Sequence, residues 1–173
     1  MALRSCRRWQ ARCSICAVTI VRTFFALFAT LFCVACVITP EAPPERDAEA
    51  KRFEPVTRDS VIYVYRADMT GNANTTVLAN DRLIGLSLPG TFFRIIVLPG
   101  RTVLEAVVPD PGRIEIETRG NDVVFVEMRT SGGSDGPPSS RFRRMPPEAA
   151  KAAILECCSM LETWRVNQPR LMW

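Results

Sequence analysis

The chain contains no histidine among its 173 residues. This absence excludes Ser-His-Asp and Cys-His catalytic arrangements and every metal site that needs an imidazole ligand. Acidic residues are absent from residues 1–35, which carry five of the 22 basic residues of the chain. The other 17 basic residues face 18 acidic ones, so the net charge of +4 falls to −1 outside that segment. A nearly neutral body offers no broad basic surface, and we expect no nucleic-acid partner.

Residues 1–35 have the order of a secretory signal. An arginine-rich start, Ala2–Arg12, precedes the apolar stretch Thr23–Cys36, which contains only small and hydrophobic residues. A basic region, an apolar region of about a dozen residues and a small residue before the cleavage point together define such a signal. We therefore predict a signal peptide of the lipoprotein type over residues 1–35, which places the remaining chain outside the cytoplasm.

The end of this signal resembles a bacterial lipobox, in which a cysteine after a small residue is diacylated and becomes the new N-terminus. The matching residues are Val34-Ala35-Cys36. The resemblance implies Cys36 as the lipidation site, with fatty acids such as palmitate. Each buried lipid CH₂ contributes roughly 0.8 kcal/mol, so several acyl chains hold a protein firmly on a membrane. Residues 36–56 are rich in proline and charge, and we predict that they form a flexible tether.

Two alternatives remain for the N-terminal segment. Residues 23–39 are just long enough for a retained transmembrane helix, which would make the chain a single-pass inner-membrane protein with a periplasmic β-domain. Cleavage without lipidation would instead release the body. Each alternative keeps the body on the far side of the membrane, because the arginines that precede the apolar run stay in the cytoplasm.

The cysteines offer two further interpretations. Two C-x₂-C pairs, Cys13/Cys16 and Cys33/Cys36, have the spacing of a zinc site, but the apolar segment between them lacks the polar turns of a zinc ribbon, so we predict no metal. Cys157 and Cys158 lie in a predicted helix, where adjacent side chains point about 100° apart and cannot bridge without distortion. We expect one of them in the core and the other half-exposed. A disulfide to another chain and redox chemistry at Cys157 are the alternatives.

From residue 60 onward the hydrophobic period is two, which predicts strands. Seven short strands separated by turn residues indicate a mainly β fold, a small antiparallel sandwich. Asn80-Asp81 is predicted as a hairpin turn, and Pro99-Gly100 as a type II turn. The predicted strands are Ser60–Arg66, Thr76–Ala79, Arg82–Leu86, Phe92–Leu98, Arg101–Val108, Arg113–Glu117 and Val123–Arg129.

One C-terminal α-helix closes the predicted domain. Pro146-Pro147 favour its start, and Ala149–Trp164 contains no helix breaker. The predicted organisation is a β-sandwich domain with its helix over residues 57–165, followed by a frayed tail over 166–173.

The chain resembles the bacterial lipoprotein-associated family known as domain of unknown function 2846. The likeness covers about residues 57–160 and implies an envelope module with a prealbumin-like or immunoglobulin-like sandwich. It brings no catalytic residues. Similarity to sorted lipoproteins, in which the residue after the acylated cysteine is not Asp, implies an outer-membrane protein that faces the periplasm. The segments that carry the likeness are Val61–Arg66, Leu78–Gly85, Phe92-Phe93, Leu98–Arg101 and Pro147–Ala150 with Cys157 after them.

These observations favour a non-enzymatic binding or scaffolding protein of the bacterial envelope, held by its lipid anchor or by the N-terminal apolar segment. We predict no catalytic or cofactor-binding residues, because the strand carboxylates alternate outward and no shielded pocket is indicated. The loops 68–74 and 131–140 are candidate contacts with an envelope protein or glycan. The cluster Arg141-Phe142-Arg143-Arg144 is a further candidate contact for anionic groups, or else a solvated edge strand. An envelope thiol-redox enzyme that uses Cys157 is the remaining alternative.

Overall fold

The structure, a computed structural model, describes residues 39–68, 74–132 and 136–163. The predicted signal peptide, Cys36 and the predicted frayed tail lie outside these ranges. The described residues form two short helices, α1 (Pro44–Ala50) and α2 (Pro147–Cys157). They also form the strands β1 (Ser60–Arg66), β2 (Thr75–Ala79), β3 (Arg82–Ser87), β4 (Thr91–Val97), β5 (Gly100–Val107), β6 (Arg113–Thr118), β7 (Val123–Ser131), β8 (Ser139–Met145) and β9 (Ser159–Met160).

The strands form two sheets packed as a sandwich, which confirms the predicted fold class. The five-stranded sheet has the order β8-β7-β1-β4-β9, and the four-stranded sheet has the order β3-β2-β5-β6. The four-stranded sheet is antiparallel throughout. In the five-stranded sheet, β1 runs antiparallel to β4 but parallel to β7. Parallel neighbours end at the same edge of a sheet, so the loops after β1 and β7 leave the sandwich at one common end, here called the loop end.

Turn chemistry places the strands in their two sheets. Asn80 and Asp81 both adopt positive φ, 45° and 63°, as the predicted two-residue hairpin between β2 and β3 requires. Gly100, with φ of 124°, lies in the turn that carries the chain from β4 in one sheet to β5 in the other. A side chain is strained at such a φ, so glycine is the residue that this crossing favours.

Two apolar clusters build three layers. The larger cluster lies between the sheets and includes Leu104, Ile116 and Phe93. The second lies between the five-stranded sheet and the two helices, where Tyr63 and Phe125 stack with ring centroids 5.1 Å apart. Since β1 contributes to both clusters, all seven of its residues are buried, as expected from its continuous β-branched and aromatic sequence.

Residues 39–56 differ from the prediction of an unstructured tether. Thr39 is buried, and its hydroxyl accepts a hydrogen bond from the Leu86 N–H at 2.7 Å. Proline at the first helical position of α1 starts a helix that ends at Ala50. Phe53, three residues later, packs edge-on against the ring of Tyr63. The prediction was wrong here because a few apolar residues between polar ones suffice to pack the segment against the aromatic rings of the second cluster.

The C-terminal helix is shorter than predicted. It ends at Cys157, and Cys158 is extended with φ of −122° and ψ of 136°. The next residues form β9, which pairs parallel with the start of β4. A helix continued to Trp164 was therefore the wrong expectation, because tertiary pairing with β4 overrides the local helix propensity of these residues. Within the described ranges, no helix combines the length and the apolar character needed to cross a membrane.

Candidate functional site

Strand β8 forms one edge of the five-stranded sheet, and part of that edge is open. The N–H of Ser140 points away from β7 and donates to the Asp110 carbonyl at 3.1 Å. Backbone groups alternate in direction along an antiparallel strand, so Phe142 and Arg144 also point their N–H and C=O groups away from β7. No described residue pairs with these groups. We call Arg141–Met145 the open edge.

The four residues predicted as a contact cluster alternate between the two faces of this strand. Arg141 and Arg143 lie on the face that carries the helices, whereas Phe142 and Arg144 lie on the sandwich side. Phe142 is half-buried and packs against the core between the sheets. Arg144 is exposed and forms no ion pair with any described residue. The expectation of a solvated edge strand is confirmed, and its role in contact with a partner stays a prediction.

On the helix-side face, two arginines pair with Glu127, one of the strand carboxylates that were predicted to alternate outward. Glu127 is buried, and its two carboxylate oxygens accept hydrogen bonds from Arg129 at 3.0 Å and Arg143 at 2.9 Å. The hydrogen bond with Glu127 raises the pKa of Arg129. Glu127 also lies opposite Tyr65 in the β1–β7 register. Burial raises the pKa of Tyr65, and the negative charge of Glu127 raises it further.

Arg141 is neutralised in a similar way. Its guanidinium donates to Asp110 at 3.1 Å, across the gap between β8 and the loop before β6. Asp68, after β1, adds a further negative charge near Arg129. Glu127 and Asp110 therefore neutralise part of the positive charge of these arginines at the loop end. Sequence spacing could not reveal these pairs, because they join residues that are distant in the chain.

The loop end also receives both predicted contact loops. The register places Tyr65 beside Glu127, so the loops after β1 and β7 start next to each other. Residues 69–73 and 133–135 of these loops lie outside the described residues. Asp68, Gly132 and residues 136–140 are described, and the Ser131 and Ser139 hydroxyls form a hydrogen bond of 2.7 Å at the base of the second loop.

The opposite edge of the same sheet is closed by the N-terminal part of the described chain. The Ala42 N–H donates to the Met160 carbonyl at 2.8 Å, and the Glu162 N–H donates to the Pro40 carbonyl at 2.9 Å. Asp47 of α1 accepts a hydrogen bond from the Met160 N–H at 2.8 Å. An ion pair between Arg46 and Glu162 joins the same two segments. We call β9 together with residues 39–42 the closed edge.

Cys157 and Cys158 are joined by a disulfide at the end of α2. The expectation that these adjacent cysteines would not bridge was therefore wrong, because the helix ends at Cys157 and the second side chain is free of helical geometry. Cys158 is buried and Cys157 half-buried, which agrees with the expected difference in exposure. The Cys158 sulfur lies 3.9 Å from the Arg66 carbonyl oxygen, at the loop end.

In residues 39–68, 74–132 and 136–163, no three side chains of the metal-ligating types come together around a common point. The predicted lipidation site, Cys36, and the C-x₂-C pairs lie outside these ranges. Comparisons with known proteins found no matching family model, curated protein or solved structure. The resemblance to the family of domain of unknown function 2846 thus stays a prediction.

Proposed function

We propose that this chain is an exported, lipid-anchored protein of the bacterial envelope, and that its sandwich is a non-enzymatic binding or scaffolding module. The proposed anchor is Cys36, and the proposed location is the outer membrane, facing the periplasm. The open edge, including Arg141, Phe142, Arg143 and Arg144, is the proposed contact surface. The observation that carries the binding role is the row of unpaired backbone groups on β8.

The positions of the two sheet edges support this arrangement. The chain that leads away from Cys36 reaches the sandwich at the closed edge, where Ala42 pairs with Met160. The open edge is four strands away in the same sheet. With neighbouring strands about 4.8 Å apart, the two edges are separated by roughly 19 Å. An anchor at one edge leaves the other accessible to a partner.

The chemistry of the open edge favours an extended segment of another envelope protein, paired as an additional strand. A second copy of β8 is a poor partner, because antiparallel pairing would bring arginines of the two strands together. A partner strand with acidic side chains would meet Arg144, whose charge no described residue neutralises. An envelope glycan or lipid phosphate at Arg144 is the other outcome.

The anchor is tested by mass spectrometry of the mature N-terminus, with and without an inhibitor of lipoprotein signal peptidase. We expect an acylated peptide that begins at Cys36, and accumulation of the uncleaved precursor with the inhibitor. An unmodified N-terminus, or a retained leader without the inhibitor, would contradict the lipid anchor. The second result would favour the single-pass membrane protein.

The contact surface is tested with a photo-crosslinking amino acid at position 144 in the envelope of the living cell. The matched control is position 119, because Arg119 is also exposed and forms no ion pair with any described residue, but lies beside the start of β1 rather than on β8. We expect a crosslinked protein at position 144 and none at position 119. The crosslink at 144 should be lost in Phe142→Pro, which blocks the free strand edge. Equal crosslinking at both positions, or crosslinking to glycan only, would overturn the proposed strand pairing.

The Cys157–Cys158 disulfide favours a second candidate, an envelope thiol-redox enzyme. Cys157 is half-buried and open to attack by a small thiol, whereas Cys158 is buried. Faster reduction of a model disulfide substrate by dithiothreitol in the presence of the purified protein, which would cycle between its dithiol and disulfide forms, would support this candidate if the acceleration is lost in Cys157→Ala. No acceleration over a small free thiol would remove it.

A further inference from the structure

The disulfide lies where the chain changes from helix α2 to an extended conformation. Successive helical side chains point about 100° apart, so adjacent sulfurs can bond only where helical geometry stops. Residues 158–168 contain neither glycine nor proline. The sequence after Cys157 therefore sets no helix stop of its own, and the Cys157–Cys158 bond lies where the change from helix to extended chain takes place.

The extended residues after the bond are the ones on which the N-terminal segment docks. The Ser159 N–H donates to the Gly90 carbonyl at 3.0 Å and the Leu161 N–H to the Phe92 carbonyl at 2.8 Å. These bonds present Met160 and Glu162 to the segment that contains Ala42 and α1. The hydrogen bonds of Ala42 and Asp47 with Met160 thus depend on residues 158–162 remaining extended.

We propose that the Cys157–Cys158 disulfide is a reducible latch for this docking. A small dithiol would reduce the bond: the two sulfurs separate, each gains one proton and one electron, and the dithiol becomes a cyclic disulfide. The new Cys158 thiol has an acceptor in place, the Arg66 carbonyl 3.9 Å away. Without the bond, the constraint against helical geometry at residues 157 and 158 is lost, and the closed edge opens more often.

The latch has a consequence that rests on the proposed lipid anchor. With the closed edge docked, only the residues between Cys36 and Thr39 separate the anchor from the sandwich. With it undocked, the free chain extends to about residue 50. At no more than about 3.4 Å for each residue, these additional 11 residues would lengthen the reach of the domain from the membrane by up to roughly 37 Å.

The latch is tested by hydrogen–deuterium exchange of the full chain, before and after treatment with dithiothreitol. Peptide mass spectrometry first identifies the Cys157–Cys158 bond in the untreated protein. We expect exchange in residues 39–50 and 159–162 to accelerate about tenfold on reduction, the size given by loop closure for so short a loop. Residues 113–118 of β6, in the other sheet, are the internal reference and should not change.

The double variant Cys157→Ser/Cys158→Ser separates the effect of this bond from any effect of dithiothreitol on the cysteines of residues 1–36. It should exchange at the faster rate with and without dithiol, and if it does not fold, the two wild-type measurements decide. An untreated protein with free thiols at both positions, or equal exchange before and after reduction, would overturn the latch. Because this readout needs no lipid, failure of the anchor and failure of the latch give different results.

Discussion

The two edges of the five-stranded sheet differ in whether their outward backbone groups are paired. Every sheet edge presents unpaired backbone groups that invite another strand. At the closed edge, β9 and residues 39–42 satisfy these groups with a segment of the same chain. At the open edge, no described residue pairs with the outward backbone groups of Phe142 and Arg144, and the side chains are mostly arginines. The difference indicates that one edge contributes to stability and the other is available for contact.

The largest expected effect comes from the core residue that directly follows β9. Leu161 is completely buried between the sheets. Leu161→Ala should lower the free energy of unfolding by about 2–5 kcal/mol, because it removes buried methyl groups and leaves a cavity. Urea unfolding measures the change. The matched control is Leu155→Ala on α2, where the side chain is 59% exposed, and equal losses for both variants would contradict the closed edge.

A smaller effect is expected from the side chain that fastens α1 to β9. In Asp47→Ala the Met160 N–H loses its acceptor at a buried residue, at a cost of about 1–3 kcal/mol. Asp47→Asn keeps an oxygen at the same position and should recover most of this loss in urea unfolding. If the two variants are equally destabilised, the ion pair of Asp47 with Lys51, rather than the contact with β9, is the source of the effect.

Removing an ion pair at the open edge should have little effect on the free energy of unfolding. Arg141 is 69% exposed in its pair with Asp110, and exposed pairs contribute about 0.2–1 kcal/mol. Arg141→Ala should therefore change the free energy of unfolding by no more than that amount, and less at high salt. A loss comparable to that of Leu161→Ala would show that β8 is part of the stabilising framework.

Ionisation of the two tyrosines of the chain should not change the free energy of unfolding at neutral pH. Burial raises the pKa of Tyr63 and of Tyr65. Since the unfolded pKa is about 10, their contribution to stability is complete below that pH and is lost as pH rises towards the folded pKa. Urea unfolding from pH 8 to pH 11 should show declining stability, with a weaker decline in Tyr63→Phe. Tyrosinate absorbance at pH 10 with native circular dichroism would contradict the burial of both rings.

The sequence predicted the sandwich because its signals are local. The strand at Ser60–Arg66 has a continuous β-branched and aromatic run, and Asn80-Asp81 and Pro99-Gly100 have the chemistry of their turns. These patterns depend on neighbours in the chain; the structure confirms the strand and the Asn80-Asp81 hairpin, and it gives Gly100 a positive φ. The edge position of β8 was likewise expected from its arginines.

The remaining features depend on residues far apart in sequence. Nothing near Pro40–Ala42 indicates pairing with Met160, and the helix signal after Pro147 does not reveal that β4 recruits Ser159 and Met160 as a strand. The same holds for Glu127, whose alternation places it away from the sandwich core without showing that two arginines enclose it. The closed edge and the disulfide were missed for this reason.

Amide hydrogen exchange measured residue by residue by NMR on the oxidised protein tests the contrast between the edges most directly. We expect protected amides at Ala42, Leu161 and Glu162, and rapid exchange at Phe142 and Arg144. Rapid exchange at the first three would restore the flexible tether and contradict the closed edge. Protection at Phe142 and Arg144 in the isolated protein would contradict the open edge.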